Sequence, residues 1–466
     1  MAPSRISNPP SPGSAEKPVI IGVSFPASGH TGGPLQVASH LAKNGSKVYY
    51  ITSPQFKNSA HESIDFVENP WDLDPAYAER RLQIAEIPQR IASDIKHVFA
   101  DTIPTNFRLL KETLERARRE NPGRPIVIFH EAMYMGLMPF LFGAPLPEGF
   151  DELPPIINFA TTNNVALDDE LPPFGFELPY DPTPENLAMW KTLQGHMRPM
   201  DDELNKYHND LLESLGATGR MSGPYWNCTM DIGKITLFPT SPSTEYPRKG
   251  EKAKRYRFIG GLPLKPAPTD FIYPAWWSTL TDNAALPAEQ RKKVILVTQG
   301  TISPNWEEII LPTIRAFAGR SDTLVIATLG NRGASLADGQ LGIPVPDNAF
   351  IIDYLPYDLA LPYTDVFFTN AGYNGFMHGV MNGTPMLIAG KDADKGEVAL
   401  RAEYCGIAVN LATGAPTEDQ IRSGVQKLLG DAKYKKRALE LKKENEDMDS
   451  LRQVEVVIEQ VLAGKL

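Results

Sequence analysis

A chain of 466 residues, 42% hydrophobic and 22% charged, exceeds what one compact core holds and reads as a globular protein of two ordinary domains. A net charge of −10 without a long basic run argues against a general nucleic-acid binder, and no stretch approaches the roughly 18 apolar residues of a membrane span. Cys228 and Cys405, the only cysteines, lie far apart without metal-ligand spacing, so free thiols in the reducing cytoplasm are expected.

Met1 to Lys17 is rich in Ser, Pro and Ala, has no apolar centre, and reads as a disordered tail, not a signal peptide. Val19 to Phe25 is a short apolar run, predicted to be a buried parallel strand. A small-residue loop, Pro26 to Gly33, follows. Pro34 then opens a helical stripe of Leu35, Ala38, Leu41 and Ala42, with Gly45 as its stop. Lys47 to Thr52 is the next strand, which makes a βαβ opening with a right-handed crossover. Helical patterns cover about 76 to 120, Ile126 to Phe129 is a strand, and a helical run spans about 132 to 142. Pro155 to Ala160 is a further strand, about 184 to 216 a polar helix, and Ile235 to Phe238 and Arg257 to Gly260 are the last strands of this half.

Many of the 42 prolines fall near 139–184 and 239–287, which predicts long stiffened loops around a regular scaffold. Gly261 to Arg291 holds several of them together with Trp276 and Trp277, and reads as the interdomain connection. A second α/β series follows: Val294 to Thr298, Thr323 to Thr328, Phe350 to Ile352, Val366 to Phe368, Met386 to Ile388 and Ile407 to Asn410, then charged amphipathic helix. The expected fold class is α/β, with two Rossmann-like doubly wound domains facing across a cleft. The expected boundaries are 18–260, 261–291 for the connection, 292–448, and a C-terminal helix 449–466 packing back on the first domain.

Thr369 to His378, leading to Asn382-Gly383-Thr384-Pro385, spells strand, small-residue loop, helix and stop. Such a loop offers backbone N–H groups and a helix N-terminus to an anion such as phosphate, although an ordinary tight turn has the same spelling. His30 follows the first strand, where a general base belongs; a helix-capping histidine is the bland alternative. Glu131 ends the Ile126 strand and faces the same crevice, either to orient His30 or as an ordinary first-turn helix carboxylate. His130 beside it points to the other face and reads as a packing histidine. Gly300-Thr301 allows close backbone approach and adds a hydroxyl. Asp392-Ala393-Asp394 suggests either a metal–nucleotide site or a solvated loop, and Asp394 is favoured as a hydroxyl binder with Lys395 beside it.

The order of His30, Gly300-Thr301, Tyr354-Leu355-Pro356, Asn370 to His378, Gly383-Thr384-Pro385 and Asp394-Lys395 resembles family 1 UDP-sugar glycosyltransferases, closest to the macrolide-type branch of bacteria and fungi. Leu171 to Gly175 looks fungal. The resemblance spans nearly the whole chain after the tail, with the second half the more specific. It implies a GT-B fold and inverting transfer of a sugar, most expectedly glucose, from a UDP-sugar co-substrate to a small lipophilic or phenolic hydroxyl, with no metal and no other cofactor. His30 matches the family base and Glu131 its orienting acid. Gly372, Tyr373, Asn374 and Gly375 match the phosphate-binding turn, Tyr354 the aromatic on the nucleobase, and Asp394 the acid that reads sugar hydroxyls.

Four departures stand out. The phosphate-binding His is Asn370, the motif's Ser is Gly375, the ribose-binding Glu is His378, and the Gln after the sugar-binding acid is Lys395. Related fungal sequences look similar at Asn370 and Lys395, which implies a subfamily variant. Met133, Tyr134, Phe174 and Trp190 are candidates for an apolar acceptor lining, with ordinary core as the alternative. The rivals are a binder without transfer activity, a GT-B sugar-nucleotide epimerase and, more weakly, a dehydrogenase. The loops after Phe25 and Phe368 lack the Gly-x-Gly-x-x-Gly spacing a dehydrogenase would carry.

Overall fold

The computed structural model describes residues 17–268, 271–300, 305–391 and 393–466; the bulk of the expected tail, Thr301 and Asp392 lie outside them. The first half builds a seven-stranded sheet from β1 (Val19–Val23), β2 (Lys47–Thr52), β3 (Asp65–Glu68), β4 (Ile126–Glu131), β5 (Ile156–Phe159), β6 (Ile235–Phe238) and β7 (Tyr256–Phe258). Its order is β3-β2-β1-β4-β5-β6-β7, parallel throughout. The second half builds a six-stranded parallel sheet from β8 (Lys293–Thr298), β9 (Thr323–Thr328), β10 (Ala349–Ile352), β11 (Val366–Thr369), β12 (Met386–Ile388) and β13 (Ala408–Asn410). Its order is β10-β9-β8-β11-β12-β13.

Both orders reverse direction once, between β1 and β4 and between β8 and β11. At such a switch point the loops leaving two neighbouring strands diverge to opposite faces and leave a crevice. His30 follows β1 and Glu131 ends β4; Gly300 follows β8 and Asn370 follows β11. The sequence's chemistry-bearing loops therefore sit at the two crevices.

The central strands are buried on both faces, as parallel sheets covered by helices require: Ile20 and Val48 pack with the Ser28–Lys43 helix, while Ile21 and Tyr49 face the Ile103–Glu120 helix. The Ser450–Leu462 helix lays Val454, Val457, Ile458 and Val461 against the first sheet's cluster of Ile20, Leu35 and Leu41.

Several local expectations need correction. β3, Asp-Phe-Val-Glu, is a four-residue edge strand with charged ends that carries no apolar run to read. The helical stretch 76–120 is several pieces: Pro75–Leu82 and Ile87–Asp94, a π turn at Ile95–Phe99, a 3-10 turn, then Ile103–Glu120. Only Met138–Leu141 of the expected 132–142 helix is α-helical, with Met135–Leu137 in a 3-10 turn. The connection also contains a helix, Trp277–Ala285. Its Leu280 enters the second half's core, and the preceding Trp276 stacks on Phe350 at 5.1 Å.

Candidate active site

The turn after β1 is fixed by hydroxyls. Thr31 donates to the Phe25 carbonyl (3.0 Å) and lies within hydrogen-bond reach of Ser24 (3.1 Å) and Thr52 (2.8 Å), all buried. This anchors the first turn of the Ser28–Lys43 helix and so sets where His30 stands. His30 Nδ1 meets Glu131 Oε1 at 3.0 Å and Thr161 Oγ1 at 3.1 Å, while Thr161 itself donates to Glu131 Oε1 at 2.7 Å. Glu131 also accepts the backbone N–H groups of Phe25 and Met133, each at 3.1 Å. Four donors thus hold a carboxylate with no solvent exposure, which is how an ionised group survives burial.

Nδ1 engaged on a carboxylate fixes the tautomer with the proton on Nδ1 and leaves Nε2 as the free acceptor. Among the described residues Nε2 has no hydrogen-bond partner, and the ring is 24% exposed, enough to be reached from the crevice. Phe25 and Phe99 stand edge-on to the ring at 5.3 and 5.9 Å, and Trp71 packs on Phe25 at 4.7 Å.

Burial opposes the charged form of His30, but the Glu131 charge and hydrogen bond outweigh it, with Asp394 adding, so its pKa lies above the ordinary 6.5. For Glu131 burial again opposes charge, and the His30 charge and hydrogen bonds bring its pKa below the ordinary 4.5. The signs define a window. The raised imidazole contributes stability that is full below pH 6.5 and lost as pH rises through its folded value. The depressed carboxylate contributes stability that is full above pH 4.5 and lost as pH falls through its folded value. The pair therefore stabilises most between pH 4.5 and 6.5.

In the second crevice, Asn370 donates its amide to the Gln299 carbonyl (2.7 Å), and its Oδ1 accepts the Gly372 N–H (3.4 Å). Each end of this side chain makes a bond inside the loop, so Asn370 shapes the turn. Ala371 is driven to φ +64°, a left-handed conformation costing about 1 kcal/mol or more for a residue with a Cβ. That reversal launches the Tyr373–Asn382 helix, which has no side-chain cap and no acid in its first turn. An uncapped N-terminus facing a crevice is suited to an anion. Gly383, at φ +62°, closes the helix. The Tyr373 ring is buried in the core beside Phe376, so this residue offers only backbone to the crevice.

Gly300 donates its N–H to Thr298 Oγ1 (3.2 Å) at the end of β8. Tyr354 is partly buried, with the Arg332 guanidinium 4.5 Å above its ring. His378 commits Nδ1 to Asp358 (2.7 Å), which also accepts from Asn382 (3.0 Å) and from the Lys265 N–H (3.4 Å) in the connection.

The two crevices touch. Asn374 Nδ2 donates to the Gly29 carbonyl at 3.1 Å, and Thr162 donates to Asp394 Oδ2 at 2.9 Å. Asp394 stands at the position before the Lys395–Tyr404 helix without capping it through its side chain, and its charge is felt at His30. Gly375 lies in the first turn of its helix, one residue after Asn374. Among the described residues no group of three or more His, Cys, Asp or Glu is placed to hold a metal ion.

The expected acceptor lining divides. Met133 and Phe174 belong to the cluster that contains Phe25, beside His30. Tyr134 does not: it packs on the other side of the sheet under the Ile103–Glu120 helix, and its hydroxyl donates to the Asn106 carbonyl at 2.8 Å. Trp190 is fully buried and stacks on Tyr180, which in turn stacks on Tyr246. Aromatic identity marked these residues; for Tyr134 the side-chain direction, onto the other side of the sheet, overrides it. Sequence reasoning missed Thr161, Thr162, Trp71 and Phe99. The signal for the threonines was their place directly after β5, on the same sheet end as His30 and Glu131. A separate cavity of about 630 Å³, lined by Glu245, Tyr246, Arg248, Tyr404 and Arg437 among others, opens at the seam and includes none of the His30 cluster.

Residues 314–460 match the family described as erythromycin biosynthesis protein CIII-like, C-terminal domain. UDP-glucosyltransferase 1 of Beauveria bassiana is 34% identical, covering 94% of each chain. UDP-glucosyltransferase A1 of Starmerella bombicola is 30% identical, over 96% of this chain and 93% of that one. Among solved structures, the glycosyltransferase of kitacinnamycin aligns with TM-score 0.65 at 18% identity, covering 96% of this chain and 99% of that one; at that identity the likeness concerns the fold.

Proposed function

Because the chain belongs to the fungal branch of the family 1 UDP-glycosyltransferases of GT-B fold, we propose that it transfers glucose from UDP-glucose, with inversion, to a hydroxyl of a small lipophilic or phenolic acceptor. One observation carries the mechanism: the loop of the His30–Glu131 pair at one switch point touches the uncapped Tyr373–Asn382 helix at the other, Asn374 bonding the Gly29 carbonyl at 3.1 Å, while Thr162 bonds Asp394 at 2.9 Å beside it. The acceptor hydroxyl gives its proton to His30 Nε2, and Glu131 holds the ring and balances the imidazolium. The acceptor oxygen attacks the anomeric carbon from the side opposite UDP. The bond from that carbon to the diphosphate oxygen breaks, and its electron pair leaves with UDP. Backbone N–H groups of Tyr373, Asn374 and Gly375 meet the charge that develops there. Asp394 and Lys395, at the start of their helix, are assigned to the sugar hydroxyls, and Tyr354 to the nucleobase. The donor names carried by the relatives support glucose. Met133, Phe174, Phe99 and Trp71 supply the apolar wall that suits an aromatic acceptor.

Mass spectrometry of reactions pairing several UDP-sugars with phenolic acceptors tests the reading: an acceptor heavier by one hexose is expected with UDP-glucose. Unchanged donor and acceptor in every pair would overturn it.

Two further outcomes are expected. The base must be neutral to accept a proton, so kcat/KM rises with pH through a midpoint above 6.5. Glu131→Gln removes the charge that raises the imidazole and moves this midpoint to lower pH, with kcat reduced about 10²-fold or more. A midpoint that stays in place would contradict the pairing. Transfer is also expected to persist in EDTA, because backbone N–H groups take the leaving charge. A strict divalent-ion requirement would redirect the role of Asp394 and its neighbour Asp392 toward metal binding.

A further inference from the structure

Glu397 lies in the first turn of the Lys395–Tyr404 helix and is 2% exposed. Its Oε1 accepts two backbone N–H groups from the other half of the molecule, Gly175 and Glu177, each at 3.1 Å. Its Oε2 faces Arg401 Nη1 at 3.4 Å, and Arg401 pairs with Glu245 of the first half and lies 4.3 Å over the Tyr246 ring. The Glu177 carboxylate returns to Lys391 at 3.1 Å, and Glu177 itself is held at φ +50°. A carboxylate buried at a seam is costly unless its lone pairs are filled, and here segment 171–177 of the first half fills them.

Both ends of this clasp lead to the reacting centre. Three residues before Glu397 stands Asp394, bonded to Thr162, whose neighbour Thr161 touches His30 and Glu131. One residue before Gly175 stands Phe174, which packs in the cluster with Phe25 and Met133 and lies edge-on to Trp226 at 5.1 Å. One short helix thus carries the sugar-reading turn and grips the backbone that places an acceptor-side wall.

Resting on the proposed glucosyl transfer, we propose that Glu397 is a positioning residue that couples donor seating at Asp394 to the acceptor wall at Phe174. With donor bound, the Lys395–Tyr404 helix is held in place, Glu397 holds the Gly175 and Glu177 N–H groups, and the wall closes beside His30. Without the clasp, donor binds but the acceptor side stays loose, and water competes for the anomeric carbon.

The test compares wild type, Glu397→Ala and the isosteric Glu397→Gln, read in two ways. Amide hydrogen exchange of segment 171–177 is measured with and without UDP-glucose in the absence of acceptor, because the intact donor carries the sugar that Asp394 reads. UDP-glucose is expected to slow exchange there in wild type, not in Glu397→Ala, although the variant still binds UDP-glucose within about threefold of wild type. In turnover, Glu397→Ala is expected to raise acceptor KM about tenfold and the ratio of donor hydrolysis to transfer, as loss of two charge-assisted hydrogen bonds implies, and Glu397→Gln to restore most of both. Equal protection by UDP-glucose in wild type and Glu397→Ala, or none in wild type, overturns the coupling. An unchanged acceptor KM and hydrolysis ratio overturns it as well, as does a loss of donor affinity as large as the loss in acceptor affinity. If Glu397→Ala fails to fold, Glu397→Gln carries both readouts, with a smaller loss of protection expected and none overturning the proposal. A wild type that gains protection with UDP-glucose yet transfers no sugar would refute the proposed activity and leave the coupling standing.

Discussion

Replacing His30 by alanine is expected to lower kcat by about 10³-fold or more, about 4 kcal/mol of transition-state stabilisation, with UDP affinity unchanged. The size follows from what is removed. Nε2 is the sole imidazole acceptor facing the crevice from this pair, because Nδ1 is taken by Glu131 and Thr161. UDP affinity is preserved because the residues assigned to the nucleotide lie in the second half and, among the described residues, reach the His30 turn through Asn374 and the Gly29 carbonyl. Folding is expected to survive as well: Glu131 keeps its bonds from Thr161 and from the Phe25 and Met133 N–H groups. Steady-state kinetics beside a calorimetric UDP titration checks both halves. Undiminished kcat in a folded variant would remove His30 from the chemistry.

The second large effect falls on the donor side. Gly390→Ala places a Cβ 1.9 Å from the Asn370 carbonyl oxygen and 2.7 Å from its carbonyl carbon. Both are backbone atoms, so no side-chain rotation relieves the clash, and the turn that launches the Tyr373–Asn382 helix must move. Overpacking of this kind costs about 1–3 kcal/mol or more. UDP affinity is expected to fall at least about tenfold, because the displaced turn is the one that aims the N–H groups. Gly430→Ala is the control, since a Cβ there meets nothing within 4 Å. Thermal melts and UDP titration of the two variants should separate cleanly. Equal UDP binding by Gly390→Ala and wild type would detach this turn from the donor.

Much of this is legible in the sequence, for a physical reason. Strands buried on both faces spell continuous apolar runs, as in Val19-Ile20-Ile21 and Val366-Phe367-Phe368, and the loops leaving them hold the chemistry. His30, Glu131, Asn370 and Asp394 could be placed on that ground alone. What stayed hidden depends on direction or distance. Tyr134 and Met133 are neighbours in sequence yet face different cores, and nothing in their identity says which. The Glu397, Arg401 and Glu245 network joins positions more than 150 residues apart and leaves no local pattern. Asn370 stands in the turn after β11, but that its amide bonds the Gln299 carbonyl across 71 residues is invisible in the sequence.

The anomeric configuration of the product, read by proton NMR after incubating the enzyme with UDP-α-glucose and a phenolic acceptor, bears most directly on the central claim. In-line attack by an acceptor oxygen activated at His30 gives the β-glucoside alone. An α-linked product would contradict a single displacement and require a different arrangement of groups around the anomeric carbon.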